Sequence, residues 1–216
     1  NMTHAILVAD DHTIIRDGLR KILEDTDDLR VVAEAAHGSE VMEFVRSLEL
    51  DLVILDMSMP GRNGLDLLKA IKIEKPKLPV LIFSMHPEEQ YAVRAIRSGA
   101  SGYLSKESDS DLLIPALRRV IGGHLYVSPK TAELLATDSS PLSDAPQHTR
   151  LSDREFEVFS RIVQGRSMTD IANELSLSIK TVSTHKSHIL DKMAMESTVD
   201  LVRYALKHGL MNDAGQ

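Results

Sequence analysis

Five residues at four separated points of the chain could do chemistry together: Asp10 and Asp11, Asp56, Ser84 and Lys106. The acidic pair follows Ala5-Ile6-Leu7-Val8-Ala9, and Asp56 follows Leu52-Val53-Ile54-Leu55. Ser84 follows Val80-Leu81-Ile82-Phe83, and Lys106 lies just after Gly102-Tyr103-Leu104. Short apolar runs closed by turn signals read as strands buried on both faces. Their carboxyl ends are where open α/β sheets place their ligands. Three carboxylates gathered there repel one another, since a like pair about 4 Å apart costs about 4 kcal/mol near a protein surface. Such a cluster needs a counter-ion, and hard oxygen ligands with open positions suit Mg²⁺, which keeps waters and accepts phosphate. Asp56 then has the attributes of a carboxylate that attacks a phosphoryl group. A metal screens the incoming charge, Lys106 pairs with the product, and the Ser84 hydroxyl can donate to a phosphoryl oxygen. A lone Asp after a strand is ordinarily a turn residue; it is the recurrence at successive strand ends that carries chemistry.

The elements that must position these residues lie between positions 4 and 122, where five apolar runs alternate with amphipathic stretches such as Ile14/Ile15/Leu19/Ile22/Leu23. That alternation predicts a doubly wound α/β domain with a five-stranded parallel sheet in the order 2-1-3-4-5 and right-handed crossovers. Pro115 falls where an interior Pro would cost about 3 kcal/mol, so its helix is expected to start late or kink near residue 111. Gly122-Gly123 stops it. Ser128-Pro129 can open a short helix near 128–136, with Pro at its first position. Residues 137–150 have the polar composition of a linker, so the domains are expected at 2–122 and 151–212, joined by 123–150.

From residue 151 the strand-like runs end and helical spacing takes over, predicting an all-α module of four short helices. Ser152 with Glu155 is a capping box. Residues 166–175 form one short helix, Ser176-Leu177-Ser178 a turn, and Ile179 to Met193 a second helix. This is a helix-turn-helix pattern. At about 100° per residue, Val182, Ile189 and Met193 face inward with His185 and Leu190 at the margins. Lys180, Ser183, Thr184 and Ser187 face outward, a set suited to a major groove.

The first half resembles the receiver domain of two-component response regulators through Asp10-Asp11, Asp56 with Met59-Pro60-Gly61 and Gly64, Ser84, Tyr103 and Lys106. The resemblance implies that Asp56 takes a phosphoryl group from a sensor histidine kinase. It implies that Asp11, Asp56 and the Ser58 backbone carbonyl hold Mg²⁺, with Asp10 helping through water. Ser84 and Tyr103 become a switch pair, the hydroxyl moving to the phosphoryl group and the ring turning inward behind it. Ser58 and His86 flank the place where the family tunes acyl-phosphate hydrolysis. Glu107 follows Lys106 where the family often has Pro, which leaves the isomer of that bond open. The second half is similar to the LuxR-type helix-turn-helix of the NarL/FixJ family through Leu151-Ser152-Asp153-Arg154-Glu155, residues 171–175 and residues 180–185. This likeness implies that Lys180 and Thr181 contact phosphates and that Ser183, Thr184 and Ser187 face bases. Lys186 replaces a common apolar choice and is expected to snorkel to the helix edge, toward phosphate.

Composition bounds the rest. A net charge of -7 argues against coating nucleic acid through bulk charge. The segment from residue 151 is near neutral, with eight Lys and Arg against nine Asp and Glu. Binding to paired half-sites of double-stranded promoter DNA is therefore expected to need a homodimer formed on activation. The dimer surface is open between the helix ending at Gly122, the fourth receiver helix and the last helix. The chain has no Cys, no basic-then-apolar N-terminal signal and no apolar run near the roughly 18 residues of a membrane span. These features place the expected protein in the reducing cytoplasm, away from membranes. The expectation is a phosphorylation-gated transcription factor whose receiver masks the recognition helix until Asp56 is modified. It takes part in its own phosphotransfer without being a turnover enzyme. Two other readings use the same residues. One is a Mg²⁺-dependent phosphohydrolase, against which stand the adjacent Asp10 and Asp11 and the lack of a cap domain. The other is a DNA-binding regulator that works without phosphorylation.

Overall fold

Leu52–Leu55, every residue of it buried, forms the central strand of the first unit (β3). β1 (His4–Ala9) lies on one side of it and β4 (Val80–Ser84) on the other. β2 (Leu29–Ala35) and β5 (Gly102–Ser105) close the edges. The computed structural model describes residues 2–60, 63–137 and 146–211. The sheet has five parallel strands in the order β2-β1-β3-β4-β5, as the alternation predicts. Ala9 stands opposite Leu55, Leu55 opposite Ile82, and Ser84 opposite Ser105. Asp10, Asp56 and Lys106 therefore follow directly on their strands at one edge, and β4 runs two residues beyond its last pair with β3 to bring Ser84 to the same edge.

The helices of this unit that flank the sheet are α1 (Thr13–Glu24), α2 (Gly38–Ser47), α3 (Gly64–Glu74), α4 (Glu88–Arg97) and α5 (Leu113–Ile121). One core joins Ile6, Val8, Leu19, Leu23, Ile54 and Leu117 from α1, α5 and the sheet. α5 starts late, as Pro115 requires: a 3₁₀ turn over Ser110–Leu112 precedes it, and the Pro falls in the first helical turn, where its missing N–H has no intrahelical partner to lose. Gly122 caps it and Gly123 takes φ +86°. Gly61, in the turn expected after β3, lies outside the described residues, as do 138–145 of the linker and the end of the second domain at 212.

Contacts fix both ends of the segment expected as linker. Tyr126 bridges to Gly102 at the edge of β5, with Tyr103 N donating to Tyr126 O at 3.0 Å. α6 (Pro129–Thr137) follows Ser128, and Glu88 Oε1 of α4 accepts from Ser128 N and from Thr131 Oγ1, both at 2.8 Å. At the other end Gln147–Arg150 forms a 3₁₀ turn in which His148 N donates to Tyr204 Oη at 3.1 Å.

The chain divides into units at Leu134/Leu135. The described helices of the second unit after α6 are α7 (Asp153–Val163), α8 (Met168–Leu175), α9 (Ile179–Met193) and α10 (Thr198–Lys207). The capping box is made: Glu155 N donates to Ser152 Oγ at 3.2 Å and Ser152 N to Glu155 Oε1 at 2.9 Å. Ser176 ends α8 in the left-handed region at φ 54°, and Ser178 caps α9 by accepting from Thr181 N. Those two serines turn the chain so that α9 packs on α7 and α8 through Val182, Ile189 and Met193.

Candidate functional site

At the carboxyl edge of the sheet, backbone pairing fixes the reactive positions. Asp10 N donates to Ala35 O at 2.9 Å, Asp56 N to Ala9 O at 2.9 Å and Lys106 N to Ser84 O at 2.8 Å. Asp10 and Asp56 are 2% and 3% exposed, and the Lys106 side chain is 4% exposed. Its ammonium lies 2.5 Å from Asp10 Oδ2 and 3.4 Å from Asp56 Oδ2. There is no cis peptide bond among the described residues, so Lys106 reaches both carboxylates from a trans bond with Glu107 after it. Asp56 Oδ1 accepts from Ser58 N at 3.2 Å. Asp56 Oδ2 is buried and accepts no hydrogen bond. Burial raises the affinity of Asp56 for a proton above that of an ordinary carboxylate, against the pull of Lys106 and reinforced by Asp10.

The donor set fits a hard divalent cation. Ligand atoms from Asp10, Asp11, Asp56 and also His12 lie within 4.8 Å of one another. The orphaned Asp56 oxygen is an acceptor that a cation or an attacked phosphorus would satisfy. Asp11 is exposed while Asp10 is buried, so the pair offers one solvent-facing ligand and one anchored by Lys106. Ser58 presents its amide to Asp56, and its hydroxyl lies 3.3 Å from His86 Nε2.

Ser84 is fully buried, and its Oγ accepts from His86 N at 3.1 Å. Tyr103, expected to turn inward on modification, is already inside: it is 2% exposed and donates to His86 O at 2.7 Å. Burial holds its hydroxyl well above the usual phenol range. Ser84 and Tyr103 thus hold the backbone of the same residue, His86, one through its amide and the other through its carbonyl.

In the second unit α9 carries Lys180, Ser183, Thr184 and Ser187 on an exposed face, with Thr181 and Lys186 half-buried at its margins. The Thr181 hydroxyl pairs with Ser178 Oγ at 2.8 Å. Thr184 Oγ1 donates to Lys180 O at 3.0 Å and Ser187 Oγ to Ser183 O at 3.2 Å. These hydroxyls close on their own helix and would have to rotate to read a base. Lys192 Nζ lies 2.5 Å from Glu155 Oε1, which ties the far end of α9 to the cap of α7.

Residues 6–118 match the response regulator receiver domain family, and residues 149–205 match the bacterial regulatory proteins of the luxR family. The chain is a NarL/FixJ-family response regulator. It is 37% identical over 214 residues to the oxygen regulatory protein NreC of Staphylococcus haemolyticus, covering 96% of this chain and 99% of NreC. It is 32% identical over 208 residues to the response regulator UvrY of Escherichia coli K12, covering 96% and 95%. A solved structure of RcsB from Salmonella enterica serovar Typhimurium, bound to promoter rprA with the phosphomimetic BeF3-, superposes with a TM-score of 0.70 at 28% identity. That superposition covers 94% of this chain and 98% of RcsB. In a second such structure, at TM-score 0.60 and 28% identity with the same coverages, two RcsB dimers are bound to two parallel DNAs.

This response regulator thus combines a receiver with a LuxR-type DNA-binding domain and acts as a transcription regulator of a two-component system. Sequence reasoning found the acidic residues and Lys106 but missed His12, whose imidazole joins the cluster. The signal was available, since a metal-ligating residue type directly follows Asp10-Asp11. It also missed Glu88 and Thr131, which meet only because α4 and α6 pack together.

Proposed function

We propose that Asp56 is the phosphoacceptor, that the donor is a phosphohistidine of a sensor kinase, and that the modified protein binds promoter DNA as a homodimer. The observation that carries this reading is the buried Asp56 Oδ2, which accepts no hydrogen bond and sits 3.4 Å from the Lys106 ammonium. A carboxylate oxygen of Asp56 forms a bond to phosphorus while the P–N bond to the kinase histidine breaks and its electron pair returns to the imidazole nitrogen. Lys106 stabilises the charge on the transferred group, and the Ser84 hydroxyl donates to one of its oxygens. Asp10, Asp11, Asp56 and the Ser58 carbonyl would hold Mg²⁺, whose chemistry there is to neutralise phosphoryl oxygens. Tyr103 and Ser84 sense the product through His86. The protein takes part in its own phosphotransfer and hydrolysis without turning over an external substrate.

On the DNA side, Lys180 and Thr181 hold phosphates, Ser183, Thr184 and Ser187 face bases, and Lys186 reaches the backbone from the helix edge. We assign residues 2–122 to the receiver, 123–150 to the connection and 151–212 to the DNA-binding domain. None of the helices among the described residues is long and apolar enough to cross a membrane, in keeping with work in the cytoplasm.

The test phosphorylates the full chain with a small acyl phosphate and Mg²⁺, then measures DNA affinity and oligomer size. Modification should tighten binding and shift the protein to a dimer, and Asp56→Asn should abolish both. Tightening that survives in Asp56→Asn would overturn the assignment.

A further inference from the structure

We propose that His12 is a ligand of the divalent ion at the acidic site and tilts its selectivity toward first-row transition ions such as Mn²⁺ and Co²⁺ over Mg²⁺. The inference rests on the reading of Asp10, Asp11 and Asp56 as a cation site and adds a nitrogen donor to it.

Two histidines of this chain occupy the same kind of position, the residue before a helix, and they behave differently. His37 precedes α2 and caps it, its Nδ1 accepting from Ser39 N at 3.2 Å. His12 precedes α1 and makes no side-chain cap. Its Nδ1 turns to the carboxylates instead, 3.1 Å from Asp10 Oδ1 and 3.1 Å from Asp11 Oδ1. Its backbone is pinned to the same group, since His12 N donates to Asp10 Oδ1 at 2.9 Å. Lys106 takes the other oxygen of Asp10. The imidazole and the ammonium therefore approach the cluster from different sides and do not compete for one position.

A second observation points to a cation here. Asp56 belongs to the same group of ligands, and its buried Oδ2 accepts no hydrogen bond and lies 3.4 Å from the Lys106 ammonium. The His12 side chain is 64% exposed, so it can adjust to a bound ion without disturbing packing. Coordination through Nδ1 uses the neutral ring with its proton on Nε2. Mg²⁺ prefers oxygen and gains little from such a donor, whereas imidazole suits transition ions, whose affinities rise along the first row.

The experiment uses the full-length chain with Mn²⁺, Co²⁺ or Mg²⁺ alone. Affinities come from Mn²⁺ electron paramagnetic resonance, Co²⁺ absorption and Mg²⁺ competition, and nitrogen modulation in the pulsed Mn²⁺ spectrum reports direct ligation. His12→Asn is the variant, because Asn is favoured before a helix and keeps α1 in place. The wild type should show nitrogen modulation and bind Mn²⁺ and Co²⁺ more tightly than Mg²⁺. In His12→Asn the modulation should vanish, with Mn²⁺ and Co²⁺ affinity falling by about tenfold and Mg²⁺ affinity nearly unchanged. An equal loss for all three ions, or a wild-type spectrum without nitrogen modulation, overturns the role of His12 while leaving the cation site standing. Failure of the wild type to bind any of the ions overturns the cation site as well.

Discussion

Lys106 shows how one side chain makes the site possible. Its ammonium is the cation that the described residues place against both buried carboxylates, Asp10 and Asp56. Breaking a buried ion pair by removing one partner leaves an uncompensated charge and typically costs about 3–5 kcal/mol. Lys106→Met should accordingly lower unfolding free energy by about 3 kcal/mol in urea titrations, whereas Lys106→Arg should retain more of it. A second residue-scale effect belongs to His185, at the inner margin of α9. Burial lowers its proton affinity, partly offset by Glu155. A His whose folded pKa is depressed favours the neutral form in the folded state. Its contribution is present above the unfolded value of about 6.5 and is lost as pH falls through that value toward the folded one. Stability of the DNA-binding unit should therefore decline as pH falls below about 6.5, followed by amide exchange in the full chain, and His185→Gln should flatten that decline.

At the scale of elements, Gly64 ties α3 to the loop that carries Asp56. A Cβ there would meet Met57 O at 2.6 Å and Met57 Cα at 2.8 Å, both backbone atoms. Because backbone cannot rotate aside, the segment 56–58 must shift. Gly64→Ala should destabilise the receiver by about 1–3 kcal/mol, an overpacking penalty, and should slow phosphorylation by a small acyl phosphate. Elements of this kind differ in how far they could be read from sequence. β3 was legible because a strand buried on both faces must be continuously apolar. α9 was legible from Ser178 to Met193 because cap and helical spacing agree. The late start of α5 followed from Pro115 alone. Tyr126 against Gly102, Glu88 against Ser128 and Thr131, and the inward Tyr103 were not legible. Each depends on which distant elements pack together, and neither periodicity nor composition carries that information. The site divides the same way, for Asp10, Asp56, Ser84 and Lys106 announce themselves at strand ends, while the imidazole beside Asp10-Asp11 is a weaker signal that becomes specific once its ring is seen to face them.

At the scale of the whole molecule, DNA binding has to work with few free cations. Arg161 and Arg166 both pair with Glu174, Arg154 with Glu157 and Lys192 with Glu155. On α9 that leaves Lys180 and Lys186 without an ion pair among the described residues. Each phosphate neutralised on duplex DNA contributes about -0.9 to the slope of log affinity against log salt. A single module using Lys180 and Lys186 would have a shallow slope and weak binding. Lys180→Ala then reports stoichiometry as well as contact. It should weaken specific and random duplexes alike and reduce the slope by about 0.9 for one bound module, or about 1.8 for a dimer on two half-sites. Ser183→Ala should leave the slope unchanged and alter the preference among sequences. Measured on the phosphorylated full chain across a salt series, a change near 1.8 supports two recognition helices engaged together. A change near 0.9 would mean that the phosphorylated form reads DNA with one.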